Sequence, residues 1–154
     1  MCISFVFNIF VEKRSMDRKI LCEIVKDIRQ KSGVPMKTIC ATMDVMPTSV
    51  YRLESGTNNF NLKLLMNYLN AINARIVLSS ANKSSVVFSD YEQFIDWLIQ
   101  TRTQVSYTQR ILAEKTGITH VTIANIESKK NVVTIDYFLK IIEVLNYELN
   151  IESI

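Results

Sequence analysis

The sequence predicts a mainly α-helical protein made of two similar helical bundles in tandem, with short β-strands after the last helix of each. Three observations lead there. Glycine and proline are scarce, 3 and 2 among 154 residues, which leaves few glycine-dependent turns and favours helices. Hydrophobic residues make up 48% and charged residues 21%, a balance that buries a core instead of staying disordered. Third, one pattern occurs twice in a length that suits one ordinary domain or two small ones of about 60–75 residues.

The repeat emerges when Arg29 is placed over Arg102 and both segments are read forward at a constant offset of 73. Few columns are identical: Arg29/Arg102, Glu54/Glu127, Ser55/Ser128, Asn58/Asn131 and Asn73/Asn146. The apolar columns agree without a gap. Ile39/Leu112, Val45/Ile118, Val50/Ile123, Leu53/Ile126, Leu62/Ile135, Leu65/Phe138, Leu69/Ile142 and Ile72/Leu145 all match.

Each copy reads as a string of short helices. Ile20, Leu21, Ile24, Val25 and Ile28 make one helical stripe; Phe94, Ile95, Leu98 and Ile99 make its counterpart. A second helix is expected from about Met36 to Met43, and again from Gln109 to Thr116 with Thr108 as N-cap. The tight turn after it holds Asp44 in one copy and Gly117 in the other, two residues that tolerate left-handed backbone.

The third helix starts near Pro47 and near His120. Proline suits a first helical position, where its missing N–H costs nothing, and Thr119 caps the second copy. Gly56 ends the third helix of copy one. Asn61 and Thr134 cap a longer fourth helix, and the β-favouring stretches Ala74 to Leu78 and Tyr147 to Ile151 follow in equivalent places. The Ser/Asn-rich stretch 79–90 reads as a linker, or as a hairpin if Val86 to Phe88 pairs with Ile76 to Leu78. The resulting domains are 16–78 and 91–154. Residues 1–15 are expected to form a strand or a flexible arm, because Ile3 to Val11 is strand-like; the competing reading makes Met16 the biological start.

Composition removes several function classes. Cys2, Cys22 and Cys40 contain no C-x-x-C pair, and His120 is the single histidine. Neither structural zinc nor a disulfide scaffold is expected, and no cofactor. No apolar run approaches the roughly 20 residues that span a bilayer, so no membrane association and a cytoplasmic, nucleoid-associated location are expected. There is no Gly-rich phosphate loop and no Ser/His/Asp or Cys/His set with sensible spacing, hence no enzyme. The net charge of +3 is uneven: residues 1–80 carry 11 Lys+Arg against 6 Asp+Glu, and residues 81–154 carry 7 against 9. A basic first half suits contact with a polyanion.

Helix, tight turn, helix, with a small residue in the first (Cys40, Ala113) and a β-branched residue in the second (Val50, Ile123), resembles the helix-turn-helix of the Xre/Cro, lambda-repressor-like family. Copy two is the closer match, with Thr108-Gln109, Leu112-Ala113, Gly117-Ile118, Ile123 and Ile126-Glu127. Copy one departs at Pro35-Met36, where the family has Thr-Gln, and at Asp44 in place of Gly. The resemblance spans roughly 18–78 and 91–151. It implies a third helix lying in the DNA major groove, with its N-terminal residues on base edges.

Carried over by position, the groove-facing residues are Pro47, Thr48, Ser49 and Arg52 in copy one, and His120, Val121, Thr122 and Asn125 in copy two. Arg52 fits guanine O6/N7 and Asn125 fits adenine N6/N7. Phosphate contacts are expected from Gln109, Thr57, Asn58, Asn59, Lys129, Lys130 and Asn131. Ser, Thr and Asn on a helix face are ordinary solvated residues outside such a motif, and a Lys pair is ordinarily a solvated one. Glu54 and Glu127 read as structural partners of Arg29 and Arg102. The stripes read as core.

The function implied is a sequence-specific double-stranded DNA-binding transcriptional regulator of repressor type, with recognition helices at about 47–54 and 120–127. The alternative is an antitoxin or adaptor in which one copy binds a protein partner, a toxin or another regulator, and the other DNA. Linking two copies in one chain lets them cover adjacent half-sites. The outward residues differ between copies, so one chain does not predict a perfect palindrome, and a homodimer stays open.

Overall fold

Asp17 and Asp90 each open a half of the molecule as helix N-caps, their side chains accepting from the Ile20 and Gln93 backbone N–H groups at 2.8 and 2.9 Å. A computed structural model describes residues 15–154. Ile3 to Val11, expected as strand or arm, lies outside the described residues. The first half runs α1 (Arg18–Ser32), α2 (Met36–Met43), α3 (Pro47–Ser55), α4 (Leu62–Ala71) and β1 (Ala74–Ser79). After a short β2 (Val86–Val87), the second half runs α5 (Tyr91–Gln104), α6 (Gln109–Thr116), α7 (His120–Glu127), α8 (Ile135–Val144) and β3 (Glu148–Ser153).

The N-caps expected from the sequence open four of these helices. Thr108, Thr119, Asn61 and Thr134 each accept a backbone N–H three residues on, satisfying donors that a helix start leaves open. Pro35 and Met46 supply no side-chain cap at α2 and α3; Pro47 at the first position of α3 compensates in part.

The backbone repeats more closely than the side chains do. Left-handed residues occur at Gly33 and Ser106, Asp44 and Gly117, Gly56 and Lys129, and Asn73 and Asn146. Every pair is separated by the same 73 residues. Left-handed backbone costs a non-glycine residue of this kind about 1–2 kcal/mol, so the fold, not local preference, imposes it at Ser106 and Lys129.

The apolar stripes converge in each half. Leu21, Ile39, Val50, Leu62 and Leu65 are fully buried in the first, and Phe94, Leu112, Ile123, Ile135 and Phe138 in the second. Burial of each such side chain contributes about 1.5–3 kcal/mol. The second half is aromatic where the first is aliphatic: Phe94 meets Phe138 edge-on at 5.3 Å, and Trp97 meets Tyr147 at 5.1 Å.

The halves join about an approximate twofold axis. Strand order is β2-β1-β3, all antiparallel. In the β1–β3 ladder Val77 pairs with Asn150, and these are equivalent positions of the repeat. Asn61 bridges Thr134, again its own equivalent. Leu62 N–H donates to the Val133 carbonyl at 2.9 Å, and Ile135 N–H to the Phe60 carbonyl at 2.8 Å; each bond is the image of the other. The linker region is the hairpin form: Val87 pairs with Val77 and Val86 with Leu78, while Phe88 leaves the strand and enters the core.

Candidate nucleic-acid interface

In the second half, α6 and α7 pack closely. Ala113 is buried on α6, Ile123 plugs α7 from beneath, and Gly117 turns the chain at φ 72°. A small side chain on one helix and a β-branched one on the other let two short helices cross at close range. The outward side of α7 stays open, with Val121 at 66% exposure, His120 exposed, and Thr122 and Asn125 half-buried. The Thr122 hydroxyl is held by Thr119, whose Oγ1 donates to it at 2.8 Å. The loop beyond is strapped to the helix: Lys130 and Asn131 N–H groups both donate to the Asn125 carbonyl, at 2.9 and 3.2 Å. Gln109 is half-buried at the first position of α6.

The corresponding face of α3 exposes Pro47, Thr48, Ser49 and Arg52. A depression of about 180 Å³ brings Ser49, Arg52, Asn58 and Asn59 to one rim over Phe60 and Leu64. Shallow grooves also separate the second and third helices of each half. Met36, Lys37, Asp44 and Pro47 line one, and Arg110, Glu114, Gly117 and His120 the other. Lys37 and Arg110 are equivalent positions. A cation in the same column of both copies is a signal that sequence reading passed over. Tyr51 and Met46, at 55% and 70% exposure, add an apolar edge to α3 that the Val50/Leu53 core stripe did not disclose.

Some residues expected to contact phosphate are engaged by other groups of the protein at its surface. Lys129 pairs with Glu92 on the first turn of α5, and the Glu92 hydrogen bond raises its pKa. The Asn59 side-chain oxygen accepts from Phe60 N–H at 3.1 Å and from Asp136 N–H of the other half at 3.4 Å. The Thr57 hydroxyl lies 2.6 Å from that of Ser55. Asn58, Lys130 and Asn131 are exposed.

Beneath each face the third helix is tied to the first by a two-point ion pair. Arg29 donates through Nε and Nη2 to Glu54 at 2.6 and 3.1 Å, and Arg102 likewise to Glu127 at 2.9 and 2.7 Å. The Glu54 hydrogen bond raises the Arg29 pKa. Each pair has one additional member. Arg102 Nη1 donates to the Tyr107 carbonyl at 2.7 Å, and Tyr68 Oη donates to Glu54 at 2.8 Å. Burial first, and the Glu54 hydrogen bond second, push the Tyr68 phenol well above its ordinary pKa. Planar fork-to-carboxylate pairing fixes orientation as well as distance, so α3 and α7 are set rigidly on α1 and α5.

Among the described residues no three His, Cys, Asp or Glu side chains gather in a metal-holding group, and no helix is long and apolar enough to cross a membrane. His120 is exposed at the start of α7.

Residues 98–151 match the family model described as Helix-turn-helix. The match takes in the end of α5, all of α6, α7 and α8, and β3 as far as Ile151. That segment is one helix-turn-helix domain, of a DNA-binding and typically non-enzymatic kind, and it suggests a DNA-binding regulator. Comparison with curated proteins and with solved structures finds no match.

Proposed function

We propose that the protein is a sequence-specific double-stranded DNA-binding transcriptional regulator of repressor type, acting in the cytoplasm on the nucleoid. The observation that carries this is α7: within the matched domain it turns His120, Val121, Thr122 and Asn125 outward on a helix locked from beneath by Arg102 and Glu127. Such an arrangement suits a recognition helix that enters the major groove. Asn125 reads adenine, and Gln109 at the start of α6 holds phosphate together with Lys130 and Asn131.

The first half is proposed as a second helix-turn-helix domain, 16–78 beside 91–154. Four left-handed positions and a buried Arg–Glu lock recur at equivalent places, and Arg52 is free at the exposed face of α3 for a guanine edge. Binding is stoichiometric and reversible, with no chemical step. Selecting duplexes from a random pool with the full chain, then measuring affinity for the enriched sequence, tests the reading. Arg52→Ala and Asn125→Ala are each expected to weaken specific binding by about 1–3 kcal/mol without moving the urea midpoint. Wild-type affinity in both variants refutes the assignment of reading residues.

A second reading draws on Met46 and Tyr51, exposed beside Pro47 on α3. An apolar edge suits a protein partner better than phosphate, which fits an antitoxin or adaptor using α3 for protein and α7 for DNA. A small toxin encoded alongside, whose complex with the chain is lost in Tyr51→Ala, would favour it.

A further inference from the structure

We infer that this chain is a dimer closed upon itself: one molecule, without a second copy, engages a duplex built of two unlike half-sites. The inference rests on the DNA-binding reading above and adds stoichiometry and the form of the site.

A twofold interface between identical subunits has a signature: residue i of one meets j of the other, and j meets i. Here that signature lies within one chain. The Leu62–Val133 bond is answered by Ile135–Phe60, and Val77 pairs with its own equivalent, Asn150, across the axis. β1 lies in the middle of the sheet with both edges paired. The surface by which such halves would dimerise is therefore already occupied, and from the inside.

The contacts flanking the axis are complementary between halves and not within either kind. Arg18 of the first half meets Asp136 of the second at 2.9 Å. The equivalent pair on the other side of the axis is Lys63 over the Tyr91 ring, 5.1 Å from its centroid. Two copies of the first half joined in this way would set Arg18 against Lys63, like charge on like. Opposed charges choose partners mainly by penalising the wrong ones. The interface thus favours first half with second half.

The outward residues follow the same division. Pro47, Thr48, Ser49 and Arg52 stand where the other half has His120, Val121, Thr122 and Asn125, and no position of the four coincides. Two faces so different do not read the same bases. Joining them covalently makes the second engagement intramolecular, so occupancy should follow the first power of protein concentration.

The test uses the full chain and the duplex it enriches from a random pool. Sedimentation of protein and complex gives stoichiometry, and strand protection gives the footprint. The expected result is a monomer of 17.7 kDa that binds one per duplex and protects two segments of different sequence. Arg52→Ala should remove protection from one segment and Asn125→Ala from the other, each with about a 5- to 150-fold loss of affinity. Two chains on a palindrome, or one chain protecting a single segment, overturns the inference and leaves the DNA-binding reading standing. A selection that enriches no sequence refutes the DNA-binding reading and this inference with it.

Discussion

Removing the Glu127 carboxylate is the perturbation whose cost can be worked most directly from contacts. Glu127 and Arg102 are 8% and 9% exposed, and their two hydrogen bonds measure 2.9 and 2.7 Å. In Glu127→Ala the guanidinium remains buried with only the Tyr107 carbonyl as partner. An ion left uncompensated in such a place costs about 3–5 kcal/mol, a fifth or more of the roughly 5–15 kcal/mol that holds an ordinary domain. Arg102→Met combined with Glu127→Leu removes both charges and keeps the volume, so the double variant should lose less than the single one. Urea unfolding monitored by the fluorescence of Trp97, the single and largely buried tryptophan, reads the difference. With a slope of about 2 kcal/mol per molar, the single variant's midpoint should fall by about 2 M. A loss below about 1 kcal/mol, or a double variant worse than the single, would refute the view that α7 is held by this pair.

Gly56, at φ 66°, lies where an added Cβ would come 3.2 Å from the Lys19 Cα and 3.3 Å from the Cys22 Cβ. Gly56→Ala should cost about 1–3 kcal/mol through left-handed strain and crowding, whereas Gly117→Ala, which meets open space, should cost only the strain, about 1 kcal/mol; equal urea midpoints for the two would contradict this. Burial pushes the Cys22 thiol up to about 11, above its unfolded value. Its contribution is complete below about pH 9 and is lost as pH rises through about 11, so the midpoint should decline across that window by an amount worth about 1–3 kcal/mol. Cys22→Ala should flatten the decline, leaving the smaller share from Tyr68, which is shifted in the same direction. Lys130→Ala should reduce the slope of log affinity against log salt by about 1, while Lys129→Ala should change it less because Glu92 already engages that ammonium; the reverse order in a salt titration would show that DNA displaces Glu92.

Helix boundaries were legible wherever a cap announced them. Thr108, Thr119, Asn61 and Thr134 each start a helix at the expected residue, and Met36–Met43 and Gln109–Thr116 occupy the expected spans. Such signals are local, carried by one side chain and a backbone three residues away. Contacts between distant segments left a mark only where the repeat keeps both partners, as in Arg29–Glu54 and Arg102–Glu127. Lys129 follows α7 directly and reads as a phosphate ligand, yet its partner Glu92 precedes it by more than thirty residues. Asn59 looks free in its loop until the other half presents the Asp136 N–H. Tyr68 completes the first Arg–Glu lock, but its equivalent is the apolar Ile141, so the repeat concealed it. The Lys37/Arg110 column is visible in the sequence, but the carried-over phosphate contacts take only Gln109 from the second helices. Composition marked neither half as the clearer DNA binder. The more basic first half is the one outside the family match.

The claim that α3 and α7 together form the DNA-contacting surface is tested most directly by amide chemical-shift mapping of the full chain. The enriched duplex is titrated in and the perturbed resonances are assigned. The account predicts the largest changes at residues 47–55 and 120–127 and in the loops that follow them, with the β1–β3 ladder silent. Perturbation of the ladder and of α4 and α8, with both third helices unmoved, would contradict it.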